Sequence, residues 1–300
     1  MSEAPRYLRL PDRGFIAIDG PDARDFLQGV ISNDVAKASE KQAIWSAFLT
    51  PQGKYLHDFF LLEREGQLLL ETEAARLPDL LKRLRLYKLR SKVELRDASA
   101  EWQVALVWGE GTLAALGLDR RTGAVQPLDG GGGLAMVDPR HQGLGARVWQ
   151  QGEVDLGLEE GSLADFQRLR IALAIPDGSR DMEIEKALLL ENGFDELGGV
   201  DWQKGCYMGQ ELTARTKYRG LVKKRLLPIE KESSFLKEDS DVLQGGKLVG
   251  ELRSHSGRHA LALLRVQALE SDEPMTCGAE PVRVSIPDWV VLPQRKEAAS

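Results

Sequence analysis

The sequence predicts an α+β protein of several domains. Three observations predict it: 300 residues are more than one hydrophobic core usually holds, a strand, helix and strand order occurs twice between roughly residues 43 and 152, and the helical period disappears beyond Gly220. Apolar residues make up 42% and charged residues 29%, the proportions of an ordinary globular chain. The formal charge of -6 argues mildly against general attraction to nucleic acid. No apolar run reaches the roughly 18 residues of a spanning helix. The start, MSEAPRYLRLPDRG, has no apolar signal core, so the cytoplasm is the expected compartment and no membrane partner is expected. Cys206 and Cys277 are scattered and belong to no CxxC pair, so neither a disulfide framework nor a permanent metal site is expected.

Taken in order, Phe15 to Ile18 read as a strand, and Gly20, Pro21 and Asp22 open a helix. Ala23, Phe26, Leu27 and Val30 share one face of that helix, with Asn33 and Asp34 as its exit. Ala47 to Leu49, Tyr55 to Leu62 and Gln67 to Glu71 read as strands separated by Pro51-Gln52-Gly53 and Glu65-Gly66 turns. Leu77, Leu80, Leu81 and Leu84 form a helical stripe, and Val93 with Leu95 a strand after it. A strand at Val104 to Trp108, a helix at Thr112 to Leu116, and strands at Leu134 to Val137 and Ala146 to Trp149 complete a ferredoxin-like unit, with Gly130 to Gly133 as a flexible turn. Ser162 caps a helix carrying Leu163, Phe166, Leu169 and Leu173, ended by Pro176 and Gly178. Leu226 to Ile229, Gly246 to Leu252, Ala260 to Val266 and Val282 to Ile286 then predict a small barrel or sandwich, and Gln294 to Ser300 a frayed tail.

The segment from Lys204 to Gly220, KGCYMGQELTARTKYRG, concentrates unusual residues. Glycines let the backbone turn N–H groups toward a ligand, and Lys204 and Arg215 favour a thiolate at Cys206 by stabilising negative charge. From residue types alone, a small buried cysteine in a turn before a helix fits equally well. Two basic clusters, Lys82 to Arg96 and Arg215 to Arg225, are either solvated faces or docking sites for a carboxylate tail, an acidic protein or RNA.

KGCYMGQELTARTKYRG resembles the signature of the YgfZ family of folate-binding proteins, and LVKKRLLPI looks like its mitochondrial iron–sulfur assembly branch. Weaker resemblance runs through GFIAIDGPDARDFLQGVISNDV, FLTPQGKYLHDFFLL and RLRIALAIPDGSRD. The resemblance implies a three-domain ring related to the glycine-cleavage aminomethyltransferases. Residues 1–42 with 153–221 would form a folate-binding domain, 43–152 the ferredoxin-like domain and 222–293 the barrel. It also implies tetrahydrofolate or a related reduced folate as cofactor, transient iron–sulfur contact, and iron–sulfur assembly proteins or client enzymes as partners, in the mitochondrial matrix if the source is eukaryotic.

By the same resemblance, Cys206 is the reactive residue and Asp58 stands near the acid that serves the folate amine. Glu191 matches the glutamate that holds the pterin through paired hydrogen bonds, and Asp181 the acid of the preceding loop. Lys204, Gly205, Tyr207, Gly209, Gln210, Glu211 and Arg215 match the motif around the cofactor, whereas His57 receives no role. Three functions are compatible: a folate-binding accessory factor for iron–sulfur clusters, a tetrahydrofolate-dependent one-carbon transferase, and a tRNA-modification factor.

Overall fold

A computed structural model describes residues 4–128, 130, 132–236, 240–278 and 280–293, so Gly131 and the tail from Gln294 lie outside the described residues. Strands β1 (Arg6–Leu10) and β2 (Arg13–Asp19) lead into α1 (Ala23–Gln28). Then follow β3 (Ile44–Leu49), β4 (Tyr55–Arg64), β5 (Gln67–Glu73), α2 (Leu77–Tyr87) and β6 (Glu94–Asp97). After them come β7 (Gln103–Trp108), α3 (Thr112–Ala115), β8 (Val125–Pro127), β9 (Gly133–Val137), β10 (Ala146–Gln150) and β11 (Glu159–Glu160). The helices α4 (Leu163–Ala172), α5 (Gly178–Asp181) and α6 (Gln210–Tyr218) precede the strands β12 (Lys224–Glu230), β13 (Asp241–Gln244), β14 (Lys247–Ser256), β15 (His259–Arg265), β16 (Met275–Cys277) and β17 (Glu280–Val284).

One sheet has the antiparallel order β3-β4-β5-β2-β6, in which β6-β2-β5-β4 with α1 and α2 is the split βαβ, ferredoxin-like arrangement. It therefore draws β2 from residues 1–42 and the rest from 43–152. A second sheet, β11-β1-β7-β10-β9-β8, takes the other strands of 43–152 together with β1 and β11. The third unit is a closed barrel in the order β12-β15-β14-β13-β16-β17, which resolves the choice between barrel and sandwich.

The apolar faces account for the layering. Leu80, Leu81 and Leu84 of α2 and Phe26 and Leu27 of α1 pack on the outer face of the first sheet with Ile16, Phe59 and Leu61. Its inner face, with Phe15, Trp45, Phe60 and Leu62, meets Val104, Leu106, Met136 and Trp149 of the second sheet. Ile171 and Ala174, from the end of α4, reach instead into the barrel core.

Two expectations are corrected. The first helix ends at Gln28 with Gly29 behind it, and Asp34 instead caps a short 3-10 turn by accepting from the Ala36 N–H. Ser162 does cap α4, but Leu163 is exposed, because the helix turns Phe166, Gln167, Arg170 and Ile171 inward. No helix of the described residues is long and apolar enough to cross a membrane.

Candidate functional site

A cavity of ≈ 330 Å³ opens between the two sheets and is closed on a third side by α4 and α5. Its volume is at the lower end of small-molecule pockets. Leu8, Leu10, Phe60, Leu106 and Phe166 give it apolar walls, and Asp58 enters from β4.

A β-bulge aims that carboxylate. Phe48 pairs with His57 and Leu49 with Tyr55, so Leu56 is the extra residue. Strict alternation would send Tyr55 and Asp58 to opposite faces. The bulge places them on one face, where the Tyr55 hydroxyl donates to Asp58 Oδ1 at 2.7 Å and the Trp45 indole N–H to Oδ2 at 2.9 Å. Burial, reinforced by nearby Glu73, raises the Asp58 pKa above the ordinary carboxylate value, against the opposing pull of those two donors. The result is a positioned carboxyl able to hold a proton more readily than a surface aspartate.

Around it runs a buried network of arginines and acids. Glu71 accepts from Arg13 Nε at 2.6 Å, from Trp149 Nε1 at 2.5 Å and from Arg147, whose guanidinium lies 4.1 Å from the Phe60 ring centre. Although burial would raise the Glu71 pKa, Arg147 and Arg13 hold it below the usual value. Arg140 forks onto both oxygens of Asp138. Arg9 and Arg180 are exposed at the mouth with Leu163. Sequence reasoning missed Glu71, Arg140 and Arg147. The signal was present: Glu71 sits in LLLETE and Arg147 in ARVWQ, charges inside apolar strands, which survive burial only when paired.

Asp181 is fully buried and is not itself among the residues lining the cavity, although its partners Arg170 and Asp177 are. It pairs with Arg170 at 2.6 Å and accepts the N–H groups of Asp177 at 2.8 Å and Ser254 at 2.9 Å, tying α5 to the barrel strand β14. Glu191 is half-buried on a 3-10 turn and is not among the cavity-lining residues. Burial raises its pKa, opposed by Lys224.

The motif from Lys204 forms a separate surface. Lys204 sends its ammonium to the carbonyls of Gln28 at 2.7 Å and Ile31 at 2.6 Å, closing the end of α1, and burial lowers its pKa to about 8. Tyr207 packs into the core, where burial raises its pKa to about 12, and its N–H donates to Gln210 Oε1 at 3.2 Å. Gly205 and Gly209 adopt φ of +91° and +81°. A Cβ on Gly209 would lie 2.5 Å from the Thr50 carbonyl, so only glycine lets this loop close on the β3–β4 turn. Glu211 and Arg215 are exposed on α6. Cys206 is exposed, which removes the reading of a buried packing cysteine, while Cys277 is buried in the barrel.

The fold is that of the glycine-cleavage aminomethyltransferases. The aminomethyltransferase T of the glycine cleavage system from Bartonella henselae superposes with a TM-score of 0.76 at 14% identity, covering 95% of this chain and 86% of that one. Residues 223–292 match the domain family described as CAF17, C-terminal beta-barrel domain.

In sequence, the mitochondrial iron–sulfur cluster assembly factor IBA57 of Mus musculus is 32% identical over 312 aligned positions, 94% of this chain and 84% of that protein. The mitochondrial IBA57 homolog of Neurospora crassa is 35% identical over 236 positions, 73% of this chain and 52% of that protein. The chain belongs to the IBA57 family of iron–sulfur cluster assembly factors, although it spans only about half the length of fungal relatives such as this one.

Proposed function

We propose that the protein is an accessory factor for assembly or repair of iron–sulfur clusters in client enzymes, presenting Cys206 to a partner and binding a reduced folate in the cavity between the sheets. The exposure of Cys206 on a loop fixed by Lys204, Tyr207 and Gly209 carries this reading. A lone thiolate supplies one of the four ligands of a typical [4Fe–4S] cluster, and Cys277 is buried elsewhere, so the remaining ligands come from a partner or a second copy. The names of the relatives point the same way.

The cavity suits tetrahydrofolate through Asp58, whose oxygens each receive one donor and retain capacity for an N–H of the ring. Arg9 and Arg180 at the mouth suit a carboxylate tail. When bound, folate would supply a carrier for one-carbon units. Glu191, Asp181 and the motif residues do not line this cavity, and Lys204, Tyr207 and Gln210 serve to hold the thiol loop.

Replacing Cys206 by serine should lower the activity of cluster-dependent enzymes in cells while leaving the purified protein folded. Unchanged activities remove the thiol from the function. Calorimetric titration with tetrahydrofolate should show binding weakened about tenfold by Asp58→Asn, the loss of one charge-assisted hydrogen bond.

The positioned Asp58, with its raised pKa, also favours a second reading, one-carbon transfer by a tetrahydrofolate-dependent aminomethyltransferase. Methylene-tetrahydrofolate formed from an aminomethylated lipoyl carrier would support it. Absence of turnover with intact folate binding rejects it.

A further inference from the structure

The segment 82–92, KRLRLYKLRSK, carries six cations, Lys82, Arg83, Arg85, Lys88, Arg90 and Lys92, and no acid, in a chain whose formal charge is -6. Some of these charges serve the fold. Arg83 is held by Asp79 at 2.8 Å, Arg85 by the Leu95 carbonyl at 3.0 Å and Lys88 by the Val93 carbonyl at 2.7 Å. Lys82, Arg90 and Lys92 are exposed, and between them Leu86 and Leu89 stand 69% and 84% exposed. Leu89 adopts φ of +47°, a conformation that a leucine enters only at a cost, and it does so while pointing an apolar side chain at water.

This surface is linked to the thiol loop through two packed residues, Phe48 and Ile31. The Tyr87 ring rests on Phe48 with centres 5.8 Å apart, Phe48 bridges to Ile31, and the Ile31 carbonyl receives Lys204. Met208 and Tyr87 pack against the same core, and the Met208 N–H donates to the Gly29 carbonyl at 3.0 Å. Lys92, whose N–H donates to Asp22 at 2.7 Å, lies at the start of α1, so the basic segment and the residues flanking Cys206 sit against opposite ends of this six-residue helix, roughly 9 Å apart along its axis.

We propose that this basic surface, with Leu86 and Leu89 as its apolar anchors, is the docking site of an acidic protein partner, and that docking sets the partner next to Cys206. The proposal rests on the partner-dependent thiol argued above and names where that partner sits. Complementary charge supplies fast, salt-sensitive encounter, and two desolvated leucines supply the anchors that charge alone lacks. RNA fits less well. Tyr87 is half-buried against Phe48, leaving no exposed ring in the segment for base stacking, and leucines contribute nothing to phosphate binding. An anionic bilayer fits less well too, since two leucines bury far less apolar surface than the face of an amphipathic helix.

The test uses the full chain labelled with ¹⁵N and a short synthetic helical peptide bearing glutamates with a leucine stripe. Anionic phosphatidylserine vesicles and bulk tRNA are the competing probes. The peptide should shift amide resonances of residues 85–92 and 205–208 and slow maleimide alkylation of Cys206. Leu86→Asn with Leu89→Asn should weaken binding about tenfold, and Lys82→Glu, Arg90→Glu and Lys92→Glu together should abolish it. These positions are exposed, so an unchanged thermal midpoint checks that each variant is folded. Cys206→Ser should bind the peptide as the parent does, so a failure of the thiol's function and a failure of docking give different results. Absence of shifts in 85–92, undiminished binding by the charge-reversed variant, or tighter binding to vesicles or tRNA than to the peptide would each overturn the proposal.

Discussion

His57 and Asp58 are adjacent in sequence yet face opposite sides of one sheet, and their titration behaviour follows from where each side lies. Asp58 looks into the cavity, whereas His57 is buried toward α2, its Nε2 2.9 Å from Asp79. Burial, helped by Arg76, lowers the His57 pKa to about 4. Between pH 6.5 and 4 the unfolded chain therefore binds a proton that the folded chain refuses, and stability falls as the pH drops through that window. The full effect is on the order of 3 kcal/mol, following from about 1.4 kcal/mol per pH unit. In urea unfolding at a series of pH values, His57→Gln should flatten this dependence relative to the parent; an unaltered slope would contradict it. Of these two residues, the sequence made Asp58 visible only through resemblance. The bulge that aims it depends on pairing with β3, which the local pattern does not encode.

At the level of elements, the motif loop is held from three directions: Lys204 on the end of α1, Tyr207 in the core, and Gly209 against the β3–β4 turn. The contact is reciprocal, since a Cβ on Gly53 would lie 2.6 Å from the Gly209 carbonyl. Gly209→Ala should destabilise the protein by about 1–3 kcal/mol, combining a left-handed backbone with a steric clash. A urea midpoint unchanged by this substitution would show that the turn can yield. Elements with a single apolar stripe were legible, as Leu77, Leu80, Leu81 and Leu84 of α2 illustrate. Less legible was α4, which faces the cavity and the barrel at once and so buries Gln167 and Arg170 where a simple stripe predicts leucine.

For the whole molecule, the α+β class and a small barrel or sandwich beyond Gly220 could be read from period alone, but the choice between those two and the order of the sheets could not. Strands β2 and β6 pair across two intervening helices and three strands, and β1 joins β7 across nearly a hundred residues, so partnership depends on long-range packing rather than on local pattern. Long-range contacts also join the barrel to the rest. Ile171 and Ala174 sit in its core, Arg170 donates to the Ser254 hydroxyl at 2.6 Å, and the Trp289 indole donates to the Leu173 carbonyl at 2.7 Å. Removing residues 223–300 should leave α4 with an exposed apolar end and an Arg170 lacking one partner, giving a chain that binds a hydrophobic dye and melts below the parent. A truncated chain that melts at the parent's temperature would mean that the barrel is an independent appendage.

The β3–β4 turn clasped by Gly209 opens the strand that carries Tyr55 and Asp58. The loop that displays Cys206 closes on this same turn, so one short stretch of backbone underpins both the carboxyl in the cavity and the sulfur at the surface.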